Sequence, residues 1–209
     1  MQTTRALSRE RTRDSLRRSA EQTFVRAGVS SASIEQIAQQ AGFTRGAFYA
    51  NYASKLELLI DVLATRQVED IGAWHEALQA ADDVGQLIDD LSARFAAQRD
   101  GRADGPLLAA ELELEANRNP AFLPHYVAYL DQLFDAIGHF LETLLRRCGK
   151  SPPDDLGRHV AAVRAFSLTL GSDAVSATRI GRAIDGRRAM RAFLRSIIDS
   201  APDAPRAAP

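Results

Sequence analysis

Residues 31–55, SASIEQIAQQAGFTRGAFYANYASK, decide how the chain folds. Ser33 opens an S-x-x-Q pattern in which its hydroxyl can accept from an orphan backbone N–H at a helix start while Gln36 reaches back, the reciprocal bonds of a capping box. Ile34, Ile37 and Ala38 share one helical face and supply a stripe for burial, and Ala41 is small enough to permit close helix approach. Gly42 stands where a positive φ lets the chain turn sharply. Thr44 can cap the next helix, which begins with Arg45 and continues through Phe48 and Tyr49. Two short helices around a glycine turn are the helix-turn-helix geometry, whose second helix enters a major groove only when one face is polar and the other is anchored from behind. Phe43, Ala47 and Phe48 supply that anchor. Arg45 can donate two hydrogen bonds to guanine O6 and N7, or donate to phosphate instead, and Thr44 can serve either target. Gly46 would cost about 1 kcal/mol in an ordinary helix interior; it is explained if a side chain there would hold the helix off DNA.

Toward the N-terminus, Leu16, Ala20, Phe24 and Ala27 repeat at four, four and three residues and predict an amphipathic helix over about 9–27, stopped by Gly28. Arg5, Arg9, Arg11, Arg13, Arg17 and Arg18 form either a flexible basic arm beside the minor groove and phosphates or an Arg-rich solvated terminus. The net charge of −1 is unevenly spread: nine Lys or Arg against four Asp or Glu in residues 1–55 give +5, and seventeen against twenty-three in 56–209 give −6. A small basic module joined to a larger acidic one suits attraction to phosphate, which depends on local field and counterion release.

The longer string FVRAGVSSASIEQIAQQAGFTRGAFYANYASKLELL, residues 24–59, closely resembles the N-terminal signature of the TetR family of regulators. The agreement runs through Gly28, Ser33, Ile34, Ile37, Ala38, Ala41, Gly42, Phe43, Thr44, Arg45, Gly46, Phe48, Tyr49, Ser54, Lys55 and Leu58 or Leu59, typed positions in fixed register over about the first quarter of the chain. The resemblance implies that Thr44, Arg45 and Gly46 start a recognition helix and that Tyr49 and Lys55 contact phosphate. Asn51 stands where histidine is frequent and Tyr52 where phenylalanine is usual. Ser33, Asn51 and Tyr52 join the candidate DNA-binding set, with capping for Ser33, core filling for Tyr49 and Tyr52 and simple solvation for Lys55 as competing roles.

Residues 54–72 read as a fourth helix carrying Leu56, Leu59, Ile60 and Leu63 on one stripe, the natural mechanical link to the remainder of the chain. Further helices are expected over about 83–99, 106–117, 121–147, 154–176 and 179–200, separated by GRADG, Asn119-Pro120 and GKSPPDD. The expected fold is all-α: a three-helix helix-turn-helix DNA-binding domain with a basic arm over 1–53, a larger helical effector-binding and dimerisation domain over 54–200, and a flexible tail over 201–209.

In the larger domain, Glu111, His125, Tyr126, Tyr129 and Phe134 are candidate ligand-binding residues, since aromatic and apolar walls with few polar groups suit a small organic molecule; core packing and solvent are the alternative fates. Val163, Phe166, Leu170, Phe193 and Ile197 are candidates for dimerisation, which TetR-like proteins achieve by packing their last two long helices into a four-helix bundle. A two-fold dimer also reads two half-sites about 34–36 Å apart, where one short helix reads too few bases. Cys148, the single cysteine, excludes an internal disulfide and a Cys-rich zinc site and is either packed or reactive. The histidines are too scattered for a metal motif, and no nucleophile elbow, Walker loop or dinucleotide fingerprint is present, so no catalytic residue, metal or cofactor is expected. No run is long and apolar enough to span a membrane, and the first thirty residues contain no apolar signal segment, so the chain reads as cytoplasmic. The expected function is a ligand-responsive repressor that binds a palindromic operator as a homodimer, with double-stranded DNA and an unidentified small-molecule effector as partners. A helical enzyme, or a protein-interaction module with an incidental basic N-terminal domain, are the competing classes.

Overall fold

The computed structural model describes residues 2–101, 104–179 and 185–205. Among them the helices run α1 (Gln2–Ala27), α2 (Ile34–Gln40), α3 (Arg45–Tyr49), α4 (Lys55–Ala80), α5 (Val84–Gly101), α6 (Gly105–Arg118), α7 (Leu123–Arg147), α8 (Leu156–Arg179) and α9 (Gly186–Ser200). The fold is all-α, with Lys150 and Asp203 forming an isolated antiparallel bridge. None of the described helices is long and apolar enough to cross a membrane. Contacts divide the chain into two compact units, Met1–Arg66 with Leu107–Tyr129, and Gln67–Pro106 with Leu130–Pro209.

In the first unit, the four-residue spacing of Leu16, Ala20 and Phe24 puts all three inside, at 0%, 0% and 1% exposure. Polar bonds set the pairing of α1 with α2: Ser19 Oγ donates to Ile37 O at 2.7 Å, and Thr23 Oγ1 bonds both Ser19 O at 2.8 Å and Gln40 Oε1 at 3.2 Å. Ile37, Ala38, Phe48, Tyr52, Leu58 and Leu59 complete a buried core. The basic stretch expected as a flexible arm is helix from Gln2, continuous with the rest of α1. Arg13 and Arg17 do not track outward as expected for an arm. They share the face of Leu16 and Ala20, and Arg13 Nη2 and Arg17 Nη1 donate to Asp61 Oδ2 at 2.9 and 3.1 Å.

The second unit is built on one apolar cluster that includes Leu87, Leu91, Phe95, Leu141, Leu144, Leu145, Leu194 and Ile198. Beside it lies a small cavity of about 30 Å³, open in part to solvent and lined by Trp74, Leu91, Phe95, Phe140, Leu141, Val163, Ser167, Met190 and Leu194. α4 continues past the expected end at 72 because helical Gly72 carries only about 1 kcal/mol of penalty, and Trp74, Ala77 and Leu78 extend the apolar stripe. α9 starts at Gly186, where Asp185 accepts from Arg188 N–H; residues 180–184, within the helix expected from 179, lie outside the described residues. Residues 201–204 are not the frayed tail expected. Ser151 N–H donates to Pro202 O at 2.8 Å, Ala204 N–H to Gly149 O at 2.9 Å and Lys150 Nζ to Asp203 Oδ1 at 2.6 Å, while Ala201 is buried. Gly149, at φ +71°, makes the turn that offers these groups.

Candidate nucleic-acid interface

The turn between α2 and α3 obeys the local chemistry of its residues. Ser33 Oγ accepts from Gln36 N–H at 3.1 Å and Thr44 Oγ1 from Ala47 N–H at 3.2 Å, so each helix start is capped by the hydroxyl in front of it. Gly42 adopts φ +80°, a conformation that any side chain makes costly, and its N–H returns to Gln39 O at 3.0 Å. Phe48, fully buried, anchors α3 from behind and meets Tyr49 edge-on, with ring centroids 5.4 Å apart.

The outward edge of α3 is polar. Thr44, Arg45, Gly46 and Tyr49 are all exposed. Arg45 lies over the Tyr49 ring at 5.4 Å, its Nη2 donates to Tyr49 Oη at 3.4 Å, and its Nη1 pairs with Glu35 of α2. The Tyr49 hydrogen bond first, and the Glu35 charge next, raise the Arg45 pKa above its ordinary value. At Gly46, an added Cβ would meet only Thr44 Oγ1, at an ordinary 3.7 Å. Nothing inside the fold therefore requires glycine at this position. The structure thus brings Thr44, Arg45, Gly46 and Tyr49 onto one surface.

Three other candidate residues face inward. Tyr52 is 2% exposed, and its hydroxyl donates to Asp61 Oδ2 at 2.5 Å. The Arg13 guanidinium lies 4.7 Å from the centre of its ring. Burial, followed by the hydrogen bond to Asp61, pushes the Tyr52 hydroxyl well above its usual pKa. Tyr52 is thus a core residue that joins α1 to α4. Asn51 Nδ2 donates to Ala47 O at 2.8 Å and its Oδ1 is buried, so its amide closes the end of α3. Lys55 Nζ donates to Val29 O, Ser30 O and Ala32 O at 2.7, 2.8 and 3.3 Å. An ammonium has three donors, and these three carbonyls take them all. In this geometry Lys55 clamps the loop between α1 and α2.

The candidate ligand residues fall in both units, Glu111, His125, Tyr126 and Tyr129 in the first and Phe134 in the second. Glu111 Oε2 accepts from Val29 N–H at 2.6 Å, and its carboxylate passes close over Gly28, which is at φ +78°. His125 is exposed with its ring stacked near Phe122, Tyr126 is buried with Tyr129 at its side, and Phe134 packs against the apolar cluster of the second unit. The cavity in that unit is lined by other residues, with Ser167 contributing a hydroxyl to otherwise apolar and aromatic walls. Of the dimerisation candidates, Val163, Leu170 and Ile197 are buried within the chain itself. Phe166 and Phe193 are half-buried and stack on each other at 4.3 Å. Burial pushes the Cys148 thiol up against an opposing pull from Arg147, which disfavours the reactive thiolate and fits the packed role. Among the described residues no group of three or more His, Cys, Asp or Glu is placed to hold a metal.

Sequence reasoning missed Glu35, Asp61 and the clamp role of Lys55. A signal for Asp61 was present: arginines at 13 and 17 share a face with Leu16 and Ala20, and half-buried guanidinium groups need a carboxylate. Residues 16–62 match the family model described as bacterial regulatory proteins, tetR family. Over 62 residues the chain is 48% identical to the HTH-type transcriptional regulator SrpR of Pseudomonas putida and 45% identical to the uncharacterized HTH-type transcriptional regulator TtgW of the same species. Each alignment takes in 30% of this chain, and they span 29% and 46% of those relatives' lengths. Salmonella enterica GusR has a similar fold, with a TM-score of 0.67 and 20% identity over 90% of this chain and 95% of that one.

Proposed function

We propose that the chain, whose residues 16–62 match the family model of bacterial regulatory proteins, tetR family, is a ligand-responsive transcriptional repressor that binds a palindromic operator as a homodimer. The observation that carries this reading is the exposed polar edge Thr44–Arg45–Gly46–Tyr49, on a helix whose opposite face is held by buried Phe48. Arg45 is the base reader, Thr44 and Tyr49 hold phosphate, and Gly46 lets the backbone come close. Lys55 sets the loop that presents Ser33. The proposed division is a DNA-binding domain over 1–53 and an effector and dimer domain over 54–200.

In this reading the half-buried Phe166–Phe193 stack contributes to the dimer surface, while Val163, Leu170 and Ile197 support it from within. The effector is a small, largely apolar molecule held in the larger helical domain, and the cavity of about 30 Å³ among Trp74, Phe95, Phe140 and Met190 has to widen to seat it. α4 carries both Lys55 and Trp74 on one continuous helix, and it couples the two sites. An effector that binds the two conformations with equal affinity cannot switch them, so the repressor cycle requires one conformation to be favoured.

Selection of bound duplexes from random DNA tests the proposal. It should enrich a two-fold symmetric motif with half-sites about one helical turn apart, bound with an affinity that falls steeply with salt. Enrichment of no motif, or of an asymmetric one by a monomeric chain, would contradict it.

A further inference from the structure

The carboxylate of Glu35 stands on the surface proposed to meet phosphate. A negative charge there repels DNA and needs a reason. Its partner is Arg45: Nη1 of the guanidinium is on Glu35, and Nη2 points to the Tyr49 hydroxyl, with the cation over the Tyr49 ring. Both side chains of the ion pair are exposed, at 62% for Arg45 and 55% for Glu35. An ion pair so open to water contributes little to folding stability. It does fix a direction. A free arginine side chain sweeps many rotamers and can settle on any phosphate within reach, whereas this one is held at two nitrogens and on one face. Two of its five N–H groups are engaged by Glu35 and Tyr49, which leaves three, enough for a bidentate contact to guanine O6 and N7.

We propose that Glu35 is a positioning residue for sequence preference: it holds Arg45 toward a base edge and away from the phosphate backbone. Affinity for DNA in general is reduced in exchange for discrimination at one base pair of each half-site. The inference rests on the proposed duplex-binding function. It concerns a residue on α2, outside the recognition helix, that reads no base itself.

The test compares the full chain with Glu35→Gln, Glu35→Ala, Arg45→Ala and the Glu35→Ala/Arg45→Ala double variant, using a selected duplex, its single-base-pair variants and a scrambled duplex over a salt series. Both Glu35 variants should bind the scrambled duplex about threefold or more tightly at low salt, with a log–log salt slope steeper by up to about 0.9, the value for one further phosphate neutralised. Preference at one symmetric pair of positions should fall about tenfold, within the range of a lost bidentate contact. Arg45→Ala should lose preference at the same positions, and the double variant should lose no more than Arg45→Ala alone. Melting temperature should be unchanged for Glu35→Gln, which separates positioning from a structural role. The inference is overturned if the Glu35 variants keep full discrimination, if they weaken binding to all duplexes alike, or if the affected positions differ from those of Arg45→Ala. A wild-type chain that shows no preference among duplexes would overturn the DNA-binding proposal, and this inference with it.

Discussion

In the module of α1 to α3 and the start of α4, geometry is fixed atom by atom: Ser33 and Thr44 cap helix starts, Gly42 supplies a positive φ, Lys55 gathers three carbonyls and Asp61 gathers two arginines and a tyrosine. In the unit containing α5 and α9, position is set by volume: Leu87, Leu91, Phe95, Leu141, Leu144 and Leu194 fill one cluster with few side-chain hydrogen bonds among them. Directional bonds demand particular residue types at particular positions, whereas an apolar core accepts many sequences of similar volume and pattern. A surface that must match DNA needs the first kind of construction.

The largest stability effect should come from the second region. Leu144→Ala removes a fully buried side chain and should lower stability by about 2–5 kcal/mol in urea unfolding, with base preference unchanged in the fraction that remains folded. Altered base preference would break the contrast. Lys55→Met should cost about 1.5–3 kcal/mol, the range for hydrogen bonds to a charged group, and should speed hydrogen exchange in the loop over 28–33. A pure phosphate role would give the opposite pattern, with stability intact and a salt slope shallower by about 0.9. Gly46→Ala should have the smallest effect on stability, a gain of up to about 1 kcal/mol from helix propensity. It should nevertheless weaken duplex binding, and undiminished binding would remove the close-approach explanation of that glycine.

Legibility in the amino-acid sequence divides along the same line. The caps at Ser33 and Thr44 and the turn at Gly42 were legible because each bond closes within three residues or rests on a backbone dihedral. Thr44, Arg45 and Gly46 were legible as an exposed edge by their register, whereas the role expected for Tyr49 came from the family resemblance. The internal partners of Lys55, Tyr52 and Glu111 were not legible because they lie elsewhere in the chain: Glu111 bonds an amide 82 residues away. Local pattern specifies what a residue can donate or accept, and only the tertiary fold decides which partner takes it. The cavity lined by Trp74 and Phe95 was not singled out for a related reason. Aromatic residues at helical spacing line a core and a pocket with the same pattern, and Trp74 and Phe95 differ from Tyr126 in location, not in type. The ends of α4 and α9 shifted where a tolerated glycine or an Asp cap outweighed the periodicity.

The central claim is that the exposed edge of α3 reads base sequence through Arg45. The most direct measurement is a base-by-base binding profile of the unchanged chain and of Arg45→Ala on the selected duplex, at one moderate salt concentration. Discrimination should collapse by about tenfold or more, at one symmetry-related pair of positions and nowhere else. A profile that keeps its shape while all affinities fall together would show Arg45 holding phosphate alone, and would contradict the claim.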